Sequence, residues 1–200
     1  MKALIKTCIA ALALTVASAH AAPILTNGNF EDGLTGWTTT GNAGLAPYFP
    51  WFGGFYFGAG TFAQDGTLAL GFNAGNQPSV GSVSQSFATD AGTHYVVSFD
   101  YGATNCANSC GQSVAVYVSD SAYAVTPFVA NGASAGPLQA FTFQFIAQSN
   151  WTTLTFADIA TNDSYNLDGV LDNVAVVPEP GSLALLGLGL TGLALRRRRA

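Results

Sequence analysis

Alternation of apolar and polar residues is the feature that most constrains this chain. Tyr95, Val97, Phe99 and Tyr101 are separated by Val96, Ser98 and Asp100, and Val114, Val116 and Val118 by Ala115 and Tyr117. Phe141, Phe143 and Phe145 are separated by Thr142 and Gln144, and Leu154 and Phe156 stand beside Thr153 and Thr155. A period of two puts every apolar side chain on one face of a strand and leaves the other face to solvent. Shorter candidates are Ile24–Phe30, Gly36–Thr40, Thr67–Phe72, Val83–Phe87, Val125–Val129 and Val170–Val176. Turn clusters such as Asn73–Pro78, Asn131-Gly132 and Asp163-Ser164 punctuate them, and no helical period of useful length appears. Roughly ten short strands at this spacing predict an all-β fold, an antiparallel β-sandwich of jelly-roll type.

Charge excludes several functions. All six basic residues are Lys2, Lys6 and Arg196 to Arg199, so residues 23–177 contain no Lys and no Arg, while ten of the eleven acids lie there. A body without a cationic side chain cannot neutralise phosphates, which excludes nucleic-acid binding. It also has no P-loop lysine and no Schiff-base lysine.

The two ends read as addresses. Lys2 and Lys6, the apolar run Cys8–Val16 and the small residues around Ala17-Ser18-Ala19 and Ala19-His20-Ala21 predict a signal peptide over residues 1–22. At the other end, Val177-Pro178-Glu179-Pro180-Gly181 excludes helix, Ser182–Leu195 is a 14-residue apolar run, and Arg196-Arg197-Arg198-Arg199 follows. Such a helix spans about 21 Å, short of a hydrocarbon core of about 30 Å, and the arginines hold it on the cytoplasmic side. Residues 178–200 therefore suit a transient anchor.

This tripartite end, with Pro178, Glu179 and Pro180 followed by an apolar helix and Arg196–Arg199, resembles the PEP-CTERM sorting signal. The resemblance implies recognition by an exosortase, a membrane protease-transpeptidase. It also implies export to the outer surface or extracellular matrix of a Gram-negative bacterium, with transient anchoring in the inner membrane. Biofilm and exopolysaccharide are the setting it suggests.

The body opens Asn27-Gly28-Asn29-Phe30-Glu31 … Gly36-Trp37 and closes Asp172-Asn173-Val174. Both ends resemble the galactose-binding-like jelly rolls of many carbohydrate-binding modules, which implies that the first and last strands are neighbours. Glu31 and Asp172 would then converge near Asn29. Hard oxygen ligands without a nearby cation suit Ca²⁺, and the resemblance implies a structural calcium ion held by Glu31, Asp172 and Asn29. Phe30 and Trp37 are expected in the core.

The segment Pro47–Gly58 packs seven aromatics into twelve residues without a charge. Tyr48, Trp51 and Tyr56 are its candidate sugar-stacking platforms, and the competing reading is a loop that caps the sandwich. The expected function is non-enzymatic binding of a neutral carbohydrate, an exopolysaccharide or other surface glycan. The alternatives are a structural matrix protein without a small ligand and a carboxylate-based glycoside hydrolase, for which Glu31 and Asp172 are the obvious pair. Cys106 and Cys110, in an exported chain, are expected to form a disulfide, since zinc would need more ligands than His94 can add. The loop is short, so the bond contributes only about 2 kcal/mol. Thiol labelling of denatured, unreduced secreted protein should find no free thiol at Cys106 or Cys110; stoichiometric labelling would exclude the bond.

Overall fold

A computed structural model describes residues 22–45, 66–72, 81–103, 112–120, 123–124, 127–132, 138–159 and 169–179. The signal peptide to Ala21, the aromatic segment with Tyr48, Trp51 and Tyr56, the cysteines Cys106 and Cys110, and the chain from Pro180 through Arg199 lie outside the described residues. One compact unit runs Ala22–Glu179.

The described residues form eleven strands: β1 (Thr38–Thr40), β2 (Ala43–Leu45), β3 (Leu70–Phe72), β4 (Ser82–Ala88), β5 (His94–Ala103), β6 (Ser113–Asp120), β7 (Tyr123–Ala124), β8 (Phe128–Asn131), β9 (Gln139–Ile146), β10 (Trp151–Asp158) and β11 (Gly169–Pro178). They build two antiparallel sheets. The six-stranded sheet has the order β1-β4-β10-β6-β7 with β8 also on β6, and the five-stranded sheet has the order β2-β3-β11-β5-β9. The alternation read from the sequence is the inside–outside alternation of these strands. Val83 and Phe87, Leu154 and Phe156, Val114 and Val116 meet Val97, Phe99, Tyr101, Leu171 and Val176 in one core. Phe99 sits at its centre, stacked on Phe141 at 5.5 Å and edge-on to Phe156 at 5.0 Å.

Ile24–Phe30 is not a strand, contrary to its apolar character, yet it does lie against the last one. Ile24 N–H donates to Val176 O at 3.0 Å and Val174 N–H to Gly28 O at 2.8 Å. The segment covers the edge of β11 that β3, paired only with Gly169 to Leu171, leaves open. Gly28 is required there, because any Cβ at that position would run into the Val174 carbonyl. Gln85, buried on β4, holds the segment from the other sheet: Thr26 N–H donates to its Oε1 at 2.7 Å and its Nε2 donates to Thr26 O at 2.9 Å.

The end of β11 corrects one expectation. The sequence sets residues 178–200 apart from the body as an anchor, but Pro178 pairs with Tyr95 and Glu179 N–H donates to His94 O at 2.9 Å. Glu179 and His94 thus form a hydrogen-bonded pair, which leaves Pro178 at the intervening position, where its missing N–H breaks no bond to β5.

Candidate functional site

The opening motif folds into a knot. Asn27, at φ 53°, directs it: its Nδ2 donates to Gly33 O at 2.9 Å, its Oδ1 accepts from Asp32 N–H at 3.0 Å, and its carbonyl accepts Trp37 Nε1–H at 2.8 Å. Phe30 takes a φ of 56°, a strained value for an aromatic residue. Its complete burial and its contact with Trp37, ring centroids 5.2 Å apart, hold it there. Phe30 and Trp37 are core residues, as the sequence led us to expect.

Glu31 leaves this knot and clamps the segment before β3. Its Oε1 accepts Thr67 N–H at 2.7 Å and Leu68 N–H at 2.6 Å, and its Oε2 accepts Thr67 Oγ1–H at 3.0 Å. Gly66, at φ +83°, makes room, because a Cβ there would collide with the Glu31 carboxyl. The Leu68 and Thr67 amides hold the Glu31 carboxyl below the usual carboxylate range. Asn29 is tied to the same place, its Oδ1 facing Glu31 N–H at 3.5 Å.

Asp172 is fully buried on β11, directly opposite the buried Asp100 of β5. A bulge follows, with Asn173 at φ 53°: its N–H donates to Asp172 Oδ1 at 2.7 Å and its Nδ2 to Asp100 Oδ2 at 3.2 Å. Among the described residues, no three Asp, Glu, His or Cys side chains gather closely enough to hold a metal ion. Of the three expected ligands only Asp172 is buried, and both Glu31 oxygens already accept from Thr67 and Leu68; all three side chains offer the oxygen donors a hard cation takes.

The pairing also assembles a surface that no single stretch of sequence displays. On the outward face of the six-stranded sheet, Thr38, Ser84, Thr155 and Tyr117 form one row and Ser86, Thr153 and Ser119 another. Thr40, Ser82, Ala157, Ala115 and Val129 form a third, within which Ala115 is buried. None of these positions is charged. Neighbouring hydroxyls bond to each other, Thr40 to Ser82 and Ser86 to Thr153, each at 2.7 Å. Trp151 stands 58% exposed at one end of the face and Tyr117 38% exposed in its middle. Strand geometry sets them about 14 Å apart. At the sandwich edge, a separate cleft of about 270 Å³ is lined by Val116, Val118, Pro127, Phe128, Phe143, Gln144 and Phe145.

Residues 23–177 match the family described as "Protein of unknown function (DUF642)", and the chain belongs to that family. Residues 176–199 match the PEP-CTERM protein-sorting motif, which marks an exported protein with a transient C-terminal membrane anchor. No curated protein matches the chain in sequence. Among solved structures, it is similar to TmCBM61 in complex with beta-1,4-galactotriose, at 18% identity and TM-score 0.57, covering 80% of this chain and all of that one. It is similar to Family 16 Carbohydrate Binding Module-2, at 18% identity and TM-score 0.51, covering 77% of this chain and 99% of that one. It is similar also to the CBM22-1 xylan-binding domain from Paenibacillus barcinonensis Xyn10C, at 14% identity and TM-score 0.53, covering 79% of this chain and 95% of that one. At these identities the likeness establishes the jelly-roll fold.

The Glu31 clamp has a measurable consequence. A carboxyl whose pKa is lowered by folding stabilises the native state above its ordinary pKa, and that stability is lost as pH falls through the lowered value. Glu31→Gln should lower the melting temperature by a few degrees at neutral pH, and the gap to the native protein should close on acidification. A gap that stays constant down to strongly acid pH would show that the charge contributes nothing.

Proposed function

We propose that this exported protein binds neutral carbohydrate, without catalysing its turnover, on the outward face of the six-stranded sheet. The observation that carries the reading is the charge-free face itself, with its hydroxyl rows and the exposed rings of Trp151 and Tyr117. Aromatic faces stack on the apolar faces of sugar rings, and hydroxyls on a rigid sheet supply the polar contacts that fix orientation. The separation of the two rings suits an oligosaccharide, which reaches both, better than a monosaccharide. A body with no Lys or Arg has nothing to hold a uronate or a sulfate, so the preferred glycan is neutral. The likeness to modules whose names include carbohydrate binding supports the same reading. The aromatic segment with Tyr48, Trp51 and Tyr56 is a second stacking surface in this proposal. Processing by an exosortase and delivery to the outer surface or matrix of a Gram-negative cell complete it, with an exopolysaccharide or other surface glycan as partner.

A glycan array probed with residues 22–179 tests this reading. We expect binding to neutral β-linked oligosaccharides, weakened roughly tenfold by Trp151→Ala through the loss of one stacking platform. Loss in Trp51→Ala alone would move the site to the aromatic segment. A silent array would reject carbohydrate binding in favour of a purely structural matrix role.

We propose in addition that a structural Ca²⁺ joins Asp172, Glu31 and Asn29. Its chemistry would be to neutralise acids that the body cannot pair with cations. Bound ion would stabilise the native state by mass action. The melting temperature should rise with added Ca²⁺ and fall in chelator, and Asp172→Asn should abolish the response, while Asp120→Asn should leave it intact. A melting temperature indifferent to chelator, on metal-free protein, rejects the ion.

A further inference from the structure

The sorting motif and the sandwich share residues. The motif match begins at residue 176, inside β11, whose last residue is Pro178. Val176 is fully buried in the core and its carbonyl accepts Ile24 N–H at 3.0 Å. Pro178 pairs with Tyr95, itself buried and stacked on Phe145 at 5.3 Å. Glu179 gives its N–H to His94 O at 2.9 Å, and its carboxylate lies 4.0 Å from His94 Nδ1. The Glu179 side chain keeps only 23% of its exposure, whereas that of His94 keeps 54%.

We propose that the folded domain occludes the start of its own sorting motif, so that the sorting protease acts only after the end of β11 peels away from β5. The proposal rests on the reading that the motif is processed. An enzyme that grips an extended segment needs that segment's backbone groups and side chains free, commonly to pair with them as an added strand. The Glu179 N–H cannot donate to an enzyme while it donates to His94, and its carboxylate faces the same residue. Peeling is local and inexpensive, since strand ends open far more readily than whole domains unfold. Freeing Glu179 breaks one ladder bond and one contact with His94, and leaves the core behind Val176 in place. Processing is therefore paced by the stability of this strand end: a chain with a loose β11 is cut early, and a well-closed one is retained longer at the membrane.

The experiment is pulse–chase trimming of the full chain in a host that carries the sorting protease. The native chain is compared with a variant carrying Gly-Ser-Gly-Ser between Val177 and Pro178. The spacer takes over the positions opposite Tyr95 and His94 and moves Pro178-Glu179-Pro180 off the sheet as an intact unit. Trimming should quicken by roughly fivefold, the worth of one hydrogen bond. Hydrogen exchange on the full chain in detergent supplies the second reading: the Glu179 amide should be protected in the native chain and exchange freely in the spacer variant. Equal or slower trimming of the variant, or an unprotected native Glu179 amide, overturns the occlusion while leaving the sorting reading intact. A native chain that is never trimmed overturns both.

Discussion

A body of 155 residues that carries ten acids and no Lys or Arg has to satisfy its carboxylates with N–H and O–H groups, and much of the local architecture follows from that requirement. Glu31 collects two backbone amides and a hydroxyl from Thr67 and Leu68, and thereby fixes the approach to β3. Asp100 and Asp172 face each other across β5 and β11, and the bulge at Asn173 turns a backbone N–H and a side-chain amide onto them. Hydrogen bonds to an ionised acceptor are the strong ones, so the Thr67 and Leu68 contacts to Glu31, whose pKa they lower, hold the backbone there firmly. The same absence of cations leaves the outward face of the six-stranded sheet to Ser, Thr, Ala, Val, Tyr and Trp, and it is the ground for the neutral ligand proposed above.

The closure of the two chain ends is the second organising contact. The segment Ile24–Gly28 lies along β11, Gln85 ties it to the opposite sheet, and Asn27 folds the following residues so that Phe30 and Trp37 enter the core. Residues that in sequence resemble a carbohydrate-module signature thus have structural work within the domain. The surface we propose for the ligand lies elsewhere, on strands that carry no such signature.

Alternation was enough to place β5, β6, β9 and β10, each long enough for several turns of the period, while β4 and β11 stood out as shorter apolar stretches. It failed where that condition fails. β2 is three residues, Ala43-Gly44-Leu45, with a glycine in the middle, and β7 is two residues paired only to β6. Ile24–Phe30 reads as apolar because Leu25 and Phe30 are buried, but positive φ at Asn27 and Phe30 breaks any strand. The hydroxyl face was invisible for a different reason. Ser84, Thr155 and Tyr117 are scattered over 72 residues' length of chain and look like ordinary solvated positions until the register of β4, β10 and β6 puts them side by side. The warning available in the sequence was that the outward positions of β4 and β10 are mostly Ser and Thr and none is charged.

The central claim is that this uncharged face is the sugar-binding surface. Its most direct test is a titration of isotope-labelled residues 22–179 with a neutral β-linked oligosaccharide, followed residue by residue in amide NMR spectra. The account predicts shifts concentrated at Tyr117, Trp151, Thr153, Thr155 and Ser84, with β5, β9 and β11 of the opposite sheet unmoved. Shifts gathered on β5, β9 and β11, with Tyr117 and Trp151 silent at saturation, would contradict it.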